Sequence, residues 1–241
     1  MVFLARRGVL LRTGVVLGFA ALVLAARLWL ANAYPALTGT GPLRRAENAG
    51  NRVALTFDVT WSDAELLEVL EVLAAEKVHA TFFVSHHWAA NYPDLLRRLD
   101  AAGHEVGTLG FRMADPTALK PEELETELRF AQGLLARTLG RPARLYRPYG
   151  GRWNPAVLEA AARSGLQTVV WSVDAGEMTA PPPPPREIAR RVTARLQAGD
   201  VIRIQASGFA TTSAEALPAI LRALRDRGLQ PGTVSELVTA P

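Results

Sequence analysis

The chain has 241 residues, 49% of them hydrophobic and 21% charged, proportions that suit a globular protein and exclude a collagen, a disordered tail or a disulfide miniprotein. The formal net charge of +4 is local: Arg6, Arg7, Arg12 and Arg27 lie before residue 34 in a stretch without acids, and the other 23 of the 27 basic residues face 23 acidic ones. That neutral body gives a broad polyanion-binding face no support from net charge, so no nucleic-acid partner is expected, and zero cysteines remove disulfides, thiolate metal sites and a cysteine nucleophile.

Residues 1–33 read as a signal peptide or an N-terminal membrane anchor. Three arginines precede the apolar run Gly14 to Ala26, which predicts an N-in orientation with the remainder exported. Gly14 to Ala33 reaches the roughly 20 apolar residues of a spanning helix only if Arg27 snorkels to the interface. Ala31-Asn32-Ala33 has the small-x-small form of a cleavage site. Either way the expected location is extracytoplasmic, membrane-anchored or secreted. Residues 34–51 read as a linker and 52–238 as one domain.

Along that domain short apolar runs alternate with helical patterns. The runs are Val53 to Phe57, Ala80 to Val84, Glu105 to Gly107, Leu145 to Arg147, Thr168 to Ser172, Val201 to Ile204 and a weak one near Gln230 to Val234. Ser62 with Glu65 and Thr212 with Glu215 read as capping boxes, and Pro121 before Glu122 and Glu123 reads as a first helical turn. Leu66, Leu70 and Leu73 fall on one helical face. Gly103, Gly140, Gly165, Gly199 and Gly228 each close a helical stretch, as left-handed C-terminal glycines do. About seven βα units predict an α/β domain with a parallel barrel or doubly wound sheet. Pro181 to Pro185 reads as an extended polyproline spacer on the rim.

In a parallel barrel, chemistry gathers at the C-terminal strand ends. That rule selects Asp58, His86, His87, Arg147, Asp174, Glu177 and Gln205, and it leaves His79 and His104 at the opposite rim as structural residues.

The residues at those strand ends carry a resemblance. Val53-Ala54-Leu55-Thr56-Phe57-Asp58, Ala80-Thr81-Phe82-Phe83-Val84, Gly103-His104-Glu105-Val106-Gly107, Arg147-Pro148, Trp171-Ser172-Val173-Asp174, Gly199-Asp200-Val201-Ile202 and Thr233-Val234-Ser235-Glu236-Leu237 occur in this order. Together, over about residues 50 to 238, they resemble the polysaccharide deacetylase family, the NodB-homology domain, and especially its sporulation-type subgroup. The resemblance implies a single distorted (β/α)7-type barrel that removes N-acetyl groups from peptidoglycan, chitin-like or related glycans with a bound divalent metal.

Residue by residue, the resemblance makes Asp58 the general base and Arg147 the side chain that orients it. The family's metal-binding aspartate falls on Val59, its two metal-binding histidines on Leu109 and Met113, and its general-acid histidine on Gln205. Anchored on Arg147 and Asn154, the third motif puts Gly150 where a tyrosine is expected; a frame shifted by one keeps Pro148-Tyr149-Gly150 and loses the arginine. The fourth motif's Asp-Trp pair falls on Glu177 and Met178. Gly150, Tyr149, Trp153 and Asp174 are the expected substrate-binding residues. Zinc in a catalytic site takes three protein ligands with nitrogen, oxygen or sulfur donors, and Val59, Leu109 and Met113 do not supply them.

Three readings follow. The first is a degenerate deacetylase of the cell envelope, without cofactor, that keeps the fold and a glycan-sized groove. The second is an active hydrolase of an N-acetylated polysaccharide with zinc or another divalent metal at a relocated site using His86, His87 and the rim carboxylates. The third is an envelope interaction module in which some of Trp61, Trp88, Tyr149, Trp153 and Trp171 stack on sugars. Peptidoglycan or a related glycan is the expected partner, with the membrane added if the N-terminal helix is retained. Asp58 also has a purely structural reading, as a buried partner of Arg147.

Overall fold

The computed structural model describes residues 41–177, 179, 181–206 and 212–239. The expected signal or anchor helix at 1–33, Met178 of the fourth motif and the beginning of the linker lie outside these residues. No helix among the described residues is long and apolar enough to cross a membrane.

The chain alternates strands and helices in the order β1 (Arg52–Val59), α1 (Ala64–Glu76), β2 (Thr81–Val84), α2 (His86–Asn91), α3 (Pro93–Ala101), β3 (Glu105–Thr108), α4 (Pro121–Leu139), β4 (Leu145–Tyr146) and α5 (Pro155–Arg163). It continues through β5 (Gln167–Thr168), β6 (Val173–Asp174), α6 (Pro185–Thr193), β7 (Val201–Gln205), α7 (Ser213–Asp226), β8 (Gln230–Gly232) and α8 (Val234–Val238). The paired strands are parallel in the order β5-β4-β3-β2-β1-β7-β6, and β8 pairs with the first three residues of β1.

β5 and β6 end this order, yet only residues 169–172 join them. Laid flat, seven strands would put the end strands about 29 Å apart, whereas the five Cα steps from Thr168 to Val173 reach at most about 18 Å. The sheet therefore curls. Side-chain alternation then gives each strand an inner and an outer face. Val53, Leu55, Phe57 and Val59 of β1 join Leu66, Val69 and Leu73 of α1 in the outer, helix-covered core. Ala54 joins Phe83, Leu109, Leu145, Val169 and Val201 in the inner one.

The expected closed barrel is corrected in one respect, because the curled sheet is open between β5 and β6. The single strand expected over Thr168 to Ser172 is split into these two short strands. Parallel neighbours need a crossover of a dozen or more residues, and four cannot place β6 beside β5. Part of the expected linker lies against this seam. The Leu43 N–H donates to Thr168 O at 2.8 Å and its carbonyl accepts from Val170 N at 2.9 Å, while the Ala46 N–H donates to Gly199 O. Arg45 reaches the buried Asp200 at 2.6 Å.

Local signals were kept unevenly. All five expected glycines have positive φ, and Pro121 opens α4 with the Lys120 N–H donating to Glu123. Neither expected capping box forms: α1 is preceded by Asp63 and α7 by Thr212, both without a side-chain cap. Glu65 instead accepts from the Ala214 N–H at 2.7 Å, so it caps the start of α7, a distant helix. Pro184 is extended as expected, but Pro185 is the first residue of α6.

Candidate functional site

Asp58 is the last inward residue of β1, and Thr56 is the inward one before it. Arg147 follows β4 and is fully buried. Its Nη1 donates to Asp58 Oδ1 at 2.7 Å and its Nη2 to Thr56 Oγ1 at 2.8 Å, while Phe83 lies 4.0 Å beneath the guanidinium. The other carboxylate oxygen, Oδ2, accepts from Arg203 Nε at 2.8 Å. Arg203 further donates to Asp174 and Gln205, each at 3.2 Å, and stands 4.9 Å over the Trp171 ring. The floor of the site is thus a chain of alternating charge, Arg147, Asp58, Arg203 and Asp174.

Burial pushes the Asp58 carboxyl up, but the two guanidinium charges and their hydrogen bonds outweigh it and hold the carboxyl below its ordinary value. Burial lowers Arg147, against the pull of Asp58. Arg203 is raised because the attraction of Asp58 and Asp174 exceeds the cost of burial. Glu177 behaves differently. It is buried, its Oε1 accepts from Gln205 N at 3.0 Å and Ser213 Oγ at 3.3 Å, and its Oε2 has no partner among the described residues. Burial raises it to about 7 despite the Gln205 bond.

Above this floor opens a cavity of about 810 Å³. Asp58, Asp174, Gln205, Tyr149 and Gly150 line it, as do Leu109 and Met113 at the expected ligand positions. Trp61, Trp171, Asp115 and Arg152 also line it, and Arg152 bridges to Asp115 at 2.8 Å across two loops. Trp153 does not line this cavity. It belongs to a neighbouring concavity of about 440 Å³ that shares Gly150 and Trp171 with it. Trp61, Tyr149 and Trp153 are exposed rings, whereas Trp88 is fully buried and stacks on Tyr92, which corrects its expected place among sugar-stacking residues.

Among the described residues, the positions where the family's metal ligands are expected do not present the donors of a divalent metal toward the cavity. Val59 is one residue beyond Asp58, and strand alternation sends it into the helix-covered core. Leu109 presents hydrocarbon and Met113 a thioether, and both Asp58 oxygens are held by arginines. Among the described residues no three of His, Cys, Asp and Glu are grouped to hold a metal. The expected relocation to His86 and His87 is corrected as well. Ser85 caps α2 by accepting from Trp88 N, so a helix starts at His86. The His86 ring packs against Phe111 and Phe130, the His87 ring lies near Trp61, and neither histidine lines the cavity. His104 is buried beneath Phe82, accepts from Ala80 N and is pushed down to about 4 by burial, which fits its structural reading.

Arg203 is the residue that sequence reasoning missed. Its signal was present: in Val201-Ile202-Arg203-Ile204-Gln205 an arginine interrupts a buried parallel strand on the face of Gln205, and such a charge needs a partner inside.

The comparisons with known proteins agree with this architecture. A family model described as polysaccharide deacetylase matches residues 45–169. The peptidoglycan-N-acetylmuramic acid deacetylase PdaA of Bacillus subtilis is 34% identical over 122 residues, which are 50% of this chain and 46% of that protein. The peptidoglycan-N-acetylglucosamine deacetylase of Bacillus cereus is 29% identical over 77% of this chain and 87% of its own. Across the first three curated relatives, the chain spans only 46% to 59% of their length. In structure, BA3943 of Bacillus anthracis, described as a CE4 family pseudoenzyme, superposes with a TM-score of 0.77 at 24% identity over 84% of this chain and 70% of that one. With its curled parallel sheet, its arginine-held Asp58 and a family match over more than half its length, this chain belongs to the polysaccharide deacetylase family.

Proposed function

We propose that this protein is a catalytically degenerate polysaccharide deacetylase of the cell envelope, exported or anchored by its N-terminal segment, that binds peptidoglycan or another N-acetylated glycan without hydrolysing it. The observation that carries this reading is the state of Asp58: each of its oxygens accepts from a guanidinium group, so two fixed cations compete with a substrate proton for the carboxylate. A base held below its ordinary pKa by two cations is also a weak proton acceptor. Gln205, at the family's acid position, is an amide with no titratable proton.

Magnitudes support the same reading. A catalytic metal lowers the pKa of its water from about 15.7 to about 7, roughly 12 kcal/mol of activation at about 1.36 kcal/mol per unit. A positioned general base supplies at most about 5.5 kcal/mol, too little to replace the metal. The exposed Trp61, Tyr149 and Trp153 beside two adjoining concavities suit an uncharged sugar chain, whose rings stack on aromatic faces. The fold is shared with a protein described as a pseudoenzyme, and the curated relatives named above are described as peptidoglycan deacetylases.

The test uses the purified chain without residues 1–33 and with added zinc or cobalt. It should release no acetate from N-acetylglucosamine oligomers or peptidoglycan while sedimenting with insoluble peptidoglycan. Metal-dependent acetate release that disappears in Asp58→Ala would overturn the reading.

A further inference from the structure

Three oxygens from three strands converge on one side chain at the cavity floor. Asp58 Oδ2 of β1 accepts from Arg203 Nε at 2.8 Å. Asp174 Oδ1 of β6 accepts from Nη1 and Gln205 Oε1 of β7 from Nη2, each at 3.2 Å. Each of the three nitrogens has its own acceptor, so the oxygens are spread around the rim of the guanidinium, and Trp171 lies over the group with its ring centre 4.9 Å from the central carbon. Acceptors around the edge and an aromatic ring over the face are what a planar, multidonor cation requires.

We propose that Asp58, Asp174, Gln205 and Trp171 form a guanidinium-binding site whose resident ligand is the chain's own Arg203. This tethered cation, in place of a metal ion, balances the carboxylates at the cavity floor. Arg147 does not make it redundant. It reaches Oδ1 of Asp58 and Thr56, whereas the cation paired with Asp174 is Arg203. A small metal ion is a poor substitute. Oxygens spaced around a guanidinium rim stand too far apart for bonds of about 2.0 to 2.6 Å to one centre, and Leu109 and Met113 offer no oxygen on the remaining wall. The site is defined by these contacts alone and stands whether or not the cavity holds a glycan.

Arg203→Ala keeps the acceptors and removes the occupant, so a free ion should take its place. Guanidinium chloride at about 20 mM, too dilute to denature, is expected to raise the Tm of the Arg203→Ala chain by about 5 °C and to leave the unsubstituted chain unmoved. Sodium chloride at equal ionic strength and magnesium chloride should do neither. Adding Asp174→Asn should shrink the guanidinium response, tying the ion to this cluster and not to the surface. An equal rise with sodium or magnesium would overturn the proposal, and so would no rise with any cation. If Arg203→Ala does not fold by itself, it is refolded from urea. Recovery only in guanidinium buffer supports the site, and failure in every buffer overturns it.

Discussion

The charge of Asp58 is a stability matter before it is a catalytic one. Its depressed pKa means that the pairing stabilises the fold above the ordinary carboxylate range and is lost as pH falls through the folded value. Breaking a buried ion pair by removing one partner costs about 3 to 5 kcal/mol. Asp58→Asn should cost more than Arg147→Met, because it leaves two buried guanidinium groups facing an uncharged amide, whereas the second change leaves Asp58 paired with Arg203. The double variant should cost less than the sum of the two, by about 0.5 to 3 kcal/mol, as read from urea melts. Additive losses would show that the pair is not coupled.

Glu177 shifts the other way. Its pKa is raised to about 7, so the folded state holds a proton that the unfolded state releases at a lower pH. The contribution of Glu177 to stability is therefore fully present near and below the ordinary glutamate value and is lost as pH rises toward about 7. The loss is on the order of 3 kcal/mol. Glu177→Gln imitates the protonated acid and keeps an acceptor for Gln205 N and Ser213 Oγ. It should be more stable than the parent at pH 8, match it near pH 4.5 and flatten the dependence between. Thermal melts at the two pH values check this, and a parent chain with a flat profile would count against a buried acid.

Single elements were legible where one residue dictates its own backbone, and less so where a distant partner decides. The five C-terminal glycines belong to the first kind, yet they are not equivalent. Gly199 has φ +86° and a Cβ there would meet Ala46 O at 2.0 Å, while Gly228 has φ +67° with nothing within 4 Å. Gly228→Ala should cost about 1 to 2 kcal/mol for the left-handed conformation alone. Gly199→Ala should exceed it by at least about 1 kcal/mol, because backbone must also move, and equal urea midpoints would show that residues 43–46 do not press on that loop. Glu65 belongs to the second kind. Its spacing from Ser62 reads as a local cap, but the carboxylate serves Ala214, 149 positions away, and no local pattern reports that.

For the whole molecule, the seam between β5 and β6 is the feature that the sequence concealed. The run Thr168 to Ser172 has the composition of one strand, and only pairing partners reveal that it leaves one end of the sheet and enters the other. Leu43 and Arg45 lie against this seam. Removing residues 1–46 should therefore lower the Tm by about 5 °C or more relative to removing residues 1–40, since it strips Arg45 from the buried Asp200. Equal melting temperatures would make the segment a passive linker.

The sequence by itself determined the alternation of strands and helices, which is written in the spacing of its apolar runs and glycines, and its ordered motifs carried the family resemblance, which in turn implied the Asp58–Arg147 partnership and placed Val59, Leu109 and Met113 at the family's metal-ligand positions. Only the tertiary structure decided that Val59 turns away from the cavity, that His86 and His87 do not enter it, that Trp153 occupies a neighbouring hollow and that Arg203 holds the second oxygen of Asp58. Those outcomes depend on how a curled sheet assigns each side chain to its inner or outer face and which strands it brings together, and neither is fixed until residues more than a hundred positions apart have paired.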